Sequence, residues 1–345
     1  MDEAAAAAWM ARHVAGFAPP ATFTAFSGGQ SNPTFHVTSA GEAFVLRRKP
    51  AGALLASAHA IDREFRVQRA LEETDVPVAK MRAYCSDPSV IGQEFYVMDH
   101  VAGRTFDDPR LPGLAPAARA SLMVRVAETL AAIHRVDVAA VGLSDYGRPA
   151  GYLGRQLSRW TAQYRASETG PLPQMDALIA ALAATLPKDS GRASLVHGDF
   201  RIDNLLLSAN ADGVLAVLDW ELSTLGDPYA DLAAVLMQWR LPAGTKGRGL
   251  AGVDRAALGL PADEAFVAAY EAVAGPVDRD ALGVVVAFAF FKMAAILQGV
   301  KARGLAGNAA NPARAAELGA MVPLYATLGL EAAAHQSVSR SGGIT

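Results

Sequence analysis

The spacing of apolar residues divides this chain into a strand-rich front and a helix-rich remainder. Residues 2–14 suit a helix, with Trp9 and Val14 among its apolar positions. Short runs at residues 23–26 and 34–38 read as strands on either side of the loop SGGQSNP at residues 27–33. Residues 43–49 predict a third strand, with Phe44 and Leu46 on one face and Val45, Arg47 and Lys49 on the other. A helix over residues 57–73 places Ile61, Phe65 and Leu71 near one face and stops at Asp75-Val76-Pro77. Strands over residues 79–85 and 93–98 complete an expected five-stranded sheet.

From Pro116 onward the period is helical. Residues 116–135 form an alanine-rich helix that ends near His134. Residues 151–167 carry Leu153, Leu157, Trp160 and Tyr164 on one stripe, which reads as core. Helices follow at residues 261–273, 278–302 and 311–328. The apolar run at residues 281–291 breaks at Lys292, too early to span a bilayer. The glycine-rich, basic stretch 241–260 reads as a mobile loop, and the tail from Gln336 as disordered.

Composition narrows the function classes. With 345 residues and 52% hydrophobic content the chain supports a large core and two lobes. Cys85 is the single cysteine, so no internal disulfide and no cysteine-rich zinc site is available. The acidic start lacks the basic leader of a signal peptide. A net charge of −3 without a basic tract gives no footprint for nucleic acid. A cytoplasmic monomer or homodimer without nucleic-acid or membrane partners is expected.

The chemistry concentrates in residues 195–232: LVHGDFRIDNLLL, a polar turn, then VLAVLDWELSTLGDPYADL. Residues 205–207 and 214–218 read as short strands joined by the turn Asn210-Ala211-Asp212-Gly213. His197, Gly198, Asp199 and Asn204 reproduce the H-x-D-x4-N spacing of a kinase catalytic loop. Asp219, in Asp219-Trp220-Glu221, falls where a kinase places the aspartate of D-F-G. Magnesium takes hard oxygen ligands and keeps several waters, so Asn204 and Asp219 suffice as its protein ligands beside nucleotide phosphates. Asp199 would accept or orient the proton of an acceptor hydroxyl, and Arg201 would reach the transferred phosphate as a permanent cation. His197 reads as a packed loop residue rather than a base. A lone H-G-D would also suit a metal-dependent hydrolase; the full pattern is far more specific.

The chain resembles the aminoglycoside phosphotransferase and choline kinase-like group, a branch of the protein-kinase-like fold. Within it, the chain looks most like the kinase-like domain fused to some acyl-CoA dehydrogenases. The resemblance also runs through SGGQSNPTF, FVLRRKP, DREFRVQRAL and FYVMDHVAGRTF, and so reaches to about residue 310. It implies an α+β, bilobal fold: a small antiparallel sheet plus helix over residues 1–101, then a larger, mainly helical lobe over residues 102–345 carrying the catalytic hairpin. The hinge falls at about residues 98–103.

ATP and magnesium are the implied cofactors. Gly28 and Gly29 would let backbone amides approach phosphate, with Ser31 or Asn32 as an added donor. Arg47 takes the position of the kinase lysine that holds the α- and β-phosphates, with Lys49 on the same face as an open alternative; Glu64 is the expected partner. The backbone from Asp99 to Val101 would hydrogen-bond the adenine edge. In aminoglycoside enzymes the position of Arg201 is commonly histidine, and that departure weighs against a resistance enzyme.

Polycationic aminoglycosides need clustered carboxylates. Residues 151–190 instead hold four basic against three acidic side chains, and residues 240–303 eight against six. The balance favours a neutral or anionic hydroxylated small molecule, and the resemblance suggests a hydroxyacyl metabolite. Arg155, Arg159 and Arg165 are candidates to face it. A choline-type acceptor would want an aromatic box, for which Trp160, Tyr164, Trp220 and Trp239 are the available rings. Two readings of other classes are an inactive nucleotide-binding module and a phosphohydrolase using His197, Asp199 and Asp219.

Overall fold

A computed structural model describes residues 1–26, 32–50, 60–187, 193–244, 248–309 and 311–341. The chain forms two compact units: Met1–Phe106 with Val136–Ser144 and Arg201–Ser223, and Asp107–Arg135 with Asp145–Phe200 and Thr224–Thr345.

In the first unit, β1 (Ala21–Ala25), β2 (Thr34–Ser39), β3 (Glu42–Arg48), β4 (Met81–Cys85) and β5 (Phe95–Asp99) form an antiparallel sheet in the order β1-β2-β3-β5-β4. Ala40 and Gly41, both at positive φ, make the two-residue turn that sets Ser39 opposite Glu42. The alternation of β3 sends Phe44 and Leu46 into a core with Val37, Phe95 and Val97. Trp9 and Met10 of α1 (Glu3–His13) close that core, at roughly 1.5–3 kcal/mol for each large side chain fully buried. Asp2 caps α1 by accepting from the Ala5 amide at 2.9 Å. The opposite face packs Met81 and Tyr96 against Ile61 of α2 (Ile61–Leu71).

The hairpin of β7 (Leu205–Leu207) and β8 (Val214–Val217) belongs to this first unit rather than to the helical lobe. Main-chain bonds decide it: Val217 N–H donates to Pro77 O at 2.8 Å, and Arg104 and Leu207 exchange two bonds at 2.8–2.9 Å. A single cut near residue 101 is therefore replaced by a chain that returns.

The second unit is mostly helical: α3 (Pro116–Arg135), α4 (Tyr152–Ala166), α5 (Pro173–Thr185), α6 (Tyr229–Trp239), α7 (Arg255–Leu258), α8 (Asp263–Ala274), α9 (Arg279–Leu305), α10 (Pro312–Gly319) and α11 (Val322–Ser341). The short pair β6 (Ser194–Val196) and β9 (Thr224–Gly226) joins them. The apolar run of α9 continues past Lys292. By length and composition α9 is apolar enough to cross a membrane, yet 78% of its most apolar stretch is buried, packed by α4, α6 and α11. A helix apolar all round is a core helix when its neighbours cover it. Gln298 of α9 is satisfied there by donating to Ser167 O at 2.7 Å.

Three expectations are corrected. Residues 311–328 are two helices rather than one, and α11 runs through Gln336 to Ser341 where disorder was expected. The described part of residues 241–260 is packed: Leu241, Leu250 and Leu260 are buried, and Leu250 N–H donates to Trp239 O at 3.0 Å.

Candidate active site

The alternation that buries Phe44 and Leu46 turns Arg47 to the other face of β3. Its Nη2 donates to Asp219 Oδ1 at 2.9 Å and to Glu64 Oε1 at 3.3 Å. Its Nε lies 2.9 Å from Glu64 Oε2 as an ion pair at an angle that falls short of a hydrogen bond. Glu64, on the first turn of α2, also accepts from Tyr96 OH at 3.0 Å and from Asn32 Nδ2 at 2.8 Å. Burial raises the Glu64 carboxyl above the ordinary carboxylate range, with Arg47 and Tyr96 pulling it back. Burial also works against the Arg47 charge, but Tyr96, Glu64 and Asp219 outweigh it and hold its pKa above the ordinary value. The expected Arg47–Glu64 pairing is present. Lys49, the alternative, is taken by Glu94 at 2.7 Å. Asn32 is buried against Glu64 instead of offering its side chain to a phosphate, a correction caused by that carboxylate's demand for donors. Gly28, Gly29 and Ser31 lie outside the described residues.

The β7–β8 hairpin holds the expected metal ligands at one end. Leu218 N–H donates to Asn204 O at 2.8 Å, which fixes Asn204 next to the residue preceding Asp219. Asp219 adopts the left-handed region at φ 65°, a conformation that aspartate tolerates better than most residues. Its carboxylate is 30% exposed, enough to take a further ligand beside Arg47. One carboxylate and one carboxamide fit magnesium, which needs few protein ligands. Arg201 Nε lies 3.0 Å from Asp203 Oδ1, so part of its charge is balanced within its own turn.

In the expected hinge, residues 99–101, two of the three backbone amides are engaged within the first unit. Asp99 N–H already donates to Lys80 O at 2.9 Å, and its carboxylate accepts from Arg82 Nη2 at 2.8 Å. His100 N–H donates to Ala43 O at 3.1 Å. The Asp99 amide is therefore engaged by the sheet, and Val101 is where the chain leaves β5 with no backbone partner among the described residues.

In the second unit, the loop after β6 is built around a buried carboxylate. Asp231 on α6 accepts from the His197 amide at 2.7 Å and the Gly198 amide at 2.8 Å. His134 Nε2 lies 3.3 Å from the same group, and His134 Nδ1 lies 2.8 Å from Tyr270 OH. Burial pushes Asp231 up, yet His134, His197 and the Gly198 amide outweigh it and hold the carboxyl below the ordinary aspartate range. Gly198 sits at φ 86°, where a side chain would be strained. The fully buried His197 accepts the Asp199 amide through Nδ1 at 3.3 Å, the packed role its sequence position suggests. Asp227, just ahead of α6, accepts from Tyr229 N–H at 2.9 Å.

A pocket of about 50 Å³ opens beside Asp199, lined by Tyr152, Gln156, Met237, Gln238, Phe288 and Lys292 among others. Sequence reasoning passed over Lys292, although a lone cation interrupting an apolar run was a legible signal. Of the candidate arginines, Arg165 is spent on Glu168 and Asp176, both at 2.6 Å, and Arg155 on Arg148 O. Trp220 is buried in the first unit, its Nε1 donating to Val217 O, while Trp239 packs edge-on against Phe266.

A sheet with its buried Arg–Glu pair, an Asn/Asp hairpin end and a mostly helical remainder define a kinase-like fold. The model of the phosphotransferase enzyme family matches residues 22–281, so the chain belongs to that family. Mouse acyl-CoA dehydrogenase family member 10 is 44% identical over 293 residues, covering 85% of this chain and 27% of that protein, so the chain spans about a quarter of its relative's length. The crystal structure of a candidate aminoglycoside phosphotransferase from Ralstonia eutropha JMP134 is 45% identical, with a TM-score of 0.89, covering 97% of this chain and 98% of that one. Spectinomycin phosphotransferase in complex with ADP and spectinomycin is 12% identical, with a TM-score of 0.61 over 96% of this chain and 97% of that one, a likeness of fold alone.

Proposed function

We propose that the chain is an ATP- and magnesium-dependent phosphotransferase that moves the γ-phosphate to a hydroxyl of a small molecule, a hydroxyacyl metabolite in the first instance. The observation that carries this reading is the fork of Arg47, held by Glu64 and touching Asp219 at 2.9 Å. It places a fixed cation beside an accessible carboxylate, the combination that nucleotide phosphates and their metal require. Asn204 and Asp219 would hold magnesium, which supplies charge neutralisation on the phosphates. Val101 would meet the adenine edge. Asp199 would take the acceptor's proton as the hydroxyl oxygen bonds to the γ-phosphorus. The bond from that phosphorus to the β–γ bridging oxygen breaks, ADP leaves, and the proton passes to solvent. Arg201, two positions beyond Asp199, would lend charge to the moving group.

Other readings fit less well. The buried His197, engaged by backbone, makes a poor metal ligand for a hydrolase. Intact Asp199, Asn204 and Asp219 weigh against an inactive module.

The test is a thermal-shift titration with ATP, GTP and AMP, with and without magnesium, followed by ADP release with a panel of hydroxyacyl compounds. Binding to the folded state raises the melting temperature by mass action. A magnesium-dependent rise with ATP and acceptor-dependent ADP release are expected. No rise at millimolar nucleotide would sink the reading.

A further inference from the structure

Lys292 stands at the middle of α9, the core helix of the second unit, and lines the pocket that contains Asp199. A lysine placed among Met237, Phe288 and Met293 carries a desolvation cost that an anionic or strongly accepting partner must offset. Burial pulls its ammonium below the ordinary lysine range, opposed by Asp231 and Asp199 and reinforced by Arg159. Asp231 already receives two backbone amides and lies close to His134, so its valence is largely used.

Asp199 is the carboxylate of this lining and faces the acceptor hydroxyl in the phosphotransferase reading, whereas Gln156 and Tyr152 offer donors. Gln156 accepts from Trp160 Nε1 at 3.1 Å through its carboxamide oxygen, which leaves the amide nitrogen as the group it offers. Tyr152, on the same wall, has its hydroxyl pKa raised by burial and the nearby Asp231 and Asp227, so it stays neutral and donates. A space of this size seats a group of a few heavy atoms, well short of a sugar ring.

We propose that this pocket is a subsite for an electron-rich oxygen group on the acceptor, a carboxylate or a thioester carbonyl, bound by Lys292 and Gln156. Lys292 also excludes acceptors that carry an amine there. The assignment rests on the phosphotransferase reading only in taking Asp199 to mark the acceptor side.

The experiment is calorimetric titration of the intact chain with three matched probes: 3-hydroxybutyrate, its coenzyme A thioester, and 4-amino-2-butanol. Wild type, Lys292→Met, Lys292→Arg and Gln156→Leu are compared, each first checked by thermal melting. Wild type is expected to bind at least one oxygen probe and not the amino alcohol. Lys292→Met should weaken that binding about tenfold and Lys292→Arg should restore most of it, the size of one charge-assisted hydrogen bond. The acid binding alone identifies a carboxylate site; the thioester alone identifies a carbonyl site. Unchanged affinity in Lys292→Met, equal affinity for the amino alcohol, or no binding of any probe overturns the subsite. If Lys292→Met does not fold, unchanged affinity in Gln156→Leu overturns it instead. Binding without phosphate transfer from magnesium-ATP would refute the phosphotransferase reading and leave the subsite standing.

Discussion

Glu64 in the first unit and Asp231 in the second are both buried carboxylates with several donors, yet they hold different things. Glu64 is surrounded by side chains: the Arg47 fork, the Tyr96 hydroxyl and the Asn32 carboxamide. Asp231 takes two consecutive backbone amides, with His134 behind it. The first therefore aims a cation, and the second shapes a main chain. Their acidities separate accordingly, with Glu64 raised by burial and Asp231 held down because its hydrogen bonds outweigh burial. A carboxylate's job in this molecule is read from what donates to it more than from how deeply it lies.

The largest effect that separates the two regions is expected at Asp199, on the loop that Asp231 shapes. Asp199→Asn should lower the transfer rate by about 10²–10⁴-fold in single-turnover assays, the usual contribution of a general base, while the ATP-induced melting shift persists. Undiminished turnover would remove Asp199 from the chemistry. Next comes Asp231→Ala, which leaves the His197 and Gly198 amides buried without their acceptor. Urea unfolding should show a loss of about 3–5 kcal/mol, as for other broken buried charge networks. Glu64→Gln keeps much of its hydrogen bonding and should cost less; a larger loss there would invert the comparison.

Arg47→Lys tests the side-chain half. A lysine is a point charge and does not span Glu64 and Asp219 with one planar fork, so the KM for ATP should rise about tenfold with a smaller change in kcat. An unaltered KM would mean that the fork is not what holds the nucleotide.

The smallest effect is in the pH dependence of stability, where the two carboxylates have opposite signs. Asp231 binds its proton less tightly folded than unfolded, so its contribution is complete above about pH 4 and is lost as pH falls through the lower folded value. Glu64 binds its proton more tightly when folded. Its contribution is present below the ordinary value of about 4.3 and is lost as pH rises through the raised one. Denaturant midpoints across pH 3–7 should therefore lose their acid decline in Asp231→Asn and lose the opposing slope in Glu64→Gln. Parallel curves for both variants would reject the assignment.

The candidate site was legible because its motif is local. Asp199 and Asn204 lie five positions apart, and the hairpin that carries Asp219 has its own turn residues. Alternation on β3 separated Arg47 from Phe44, and the following helix offered Glu64 as a partner. What stayed hidden depended on contacts distant in sequence. Nothing local shows that the β7–β8 hairpin bonds to Pro77 and Arg104, or that the Asp99 amide is used by Lys80. Lys292 is separated from Asp199 by more than ninety residues, and only the packing of α9 brings them to one pocket.

The sequence by itself thus determined most of the elements, the kinase-like class and the candidate reactive groups, because period, turn chemistry and motif spacing act over a few residues. Tertiary structure decided which of two cations meets Glu64, which carboxylate holds the loop, and which lysine shares a pocket with Asp199. Those outcomes turn on burial and on competition among donors from distant segments, and such competition is resolved only when the chain is packed.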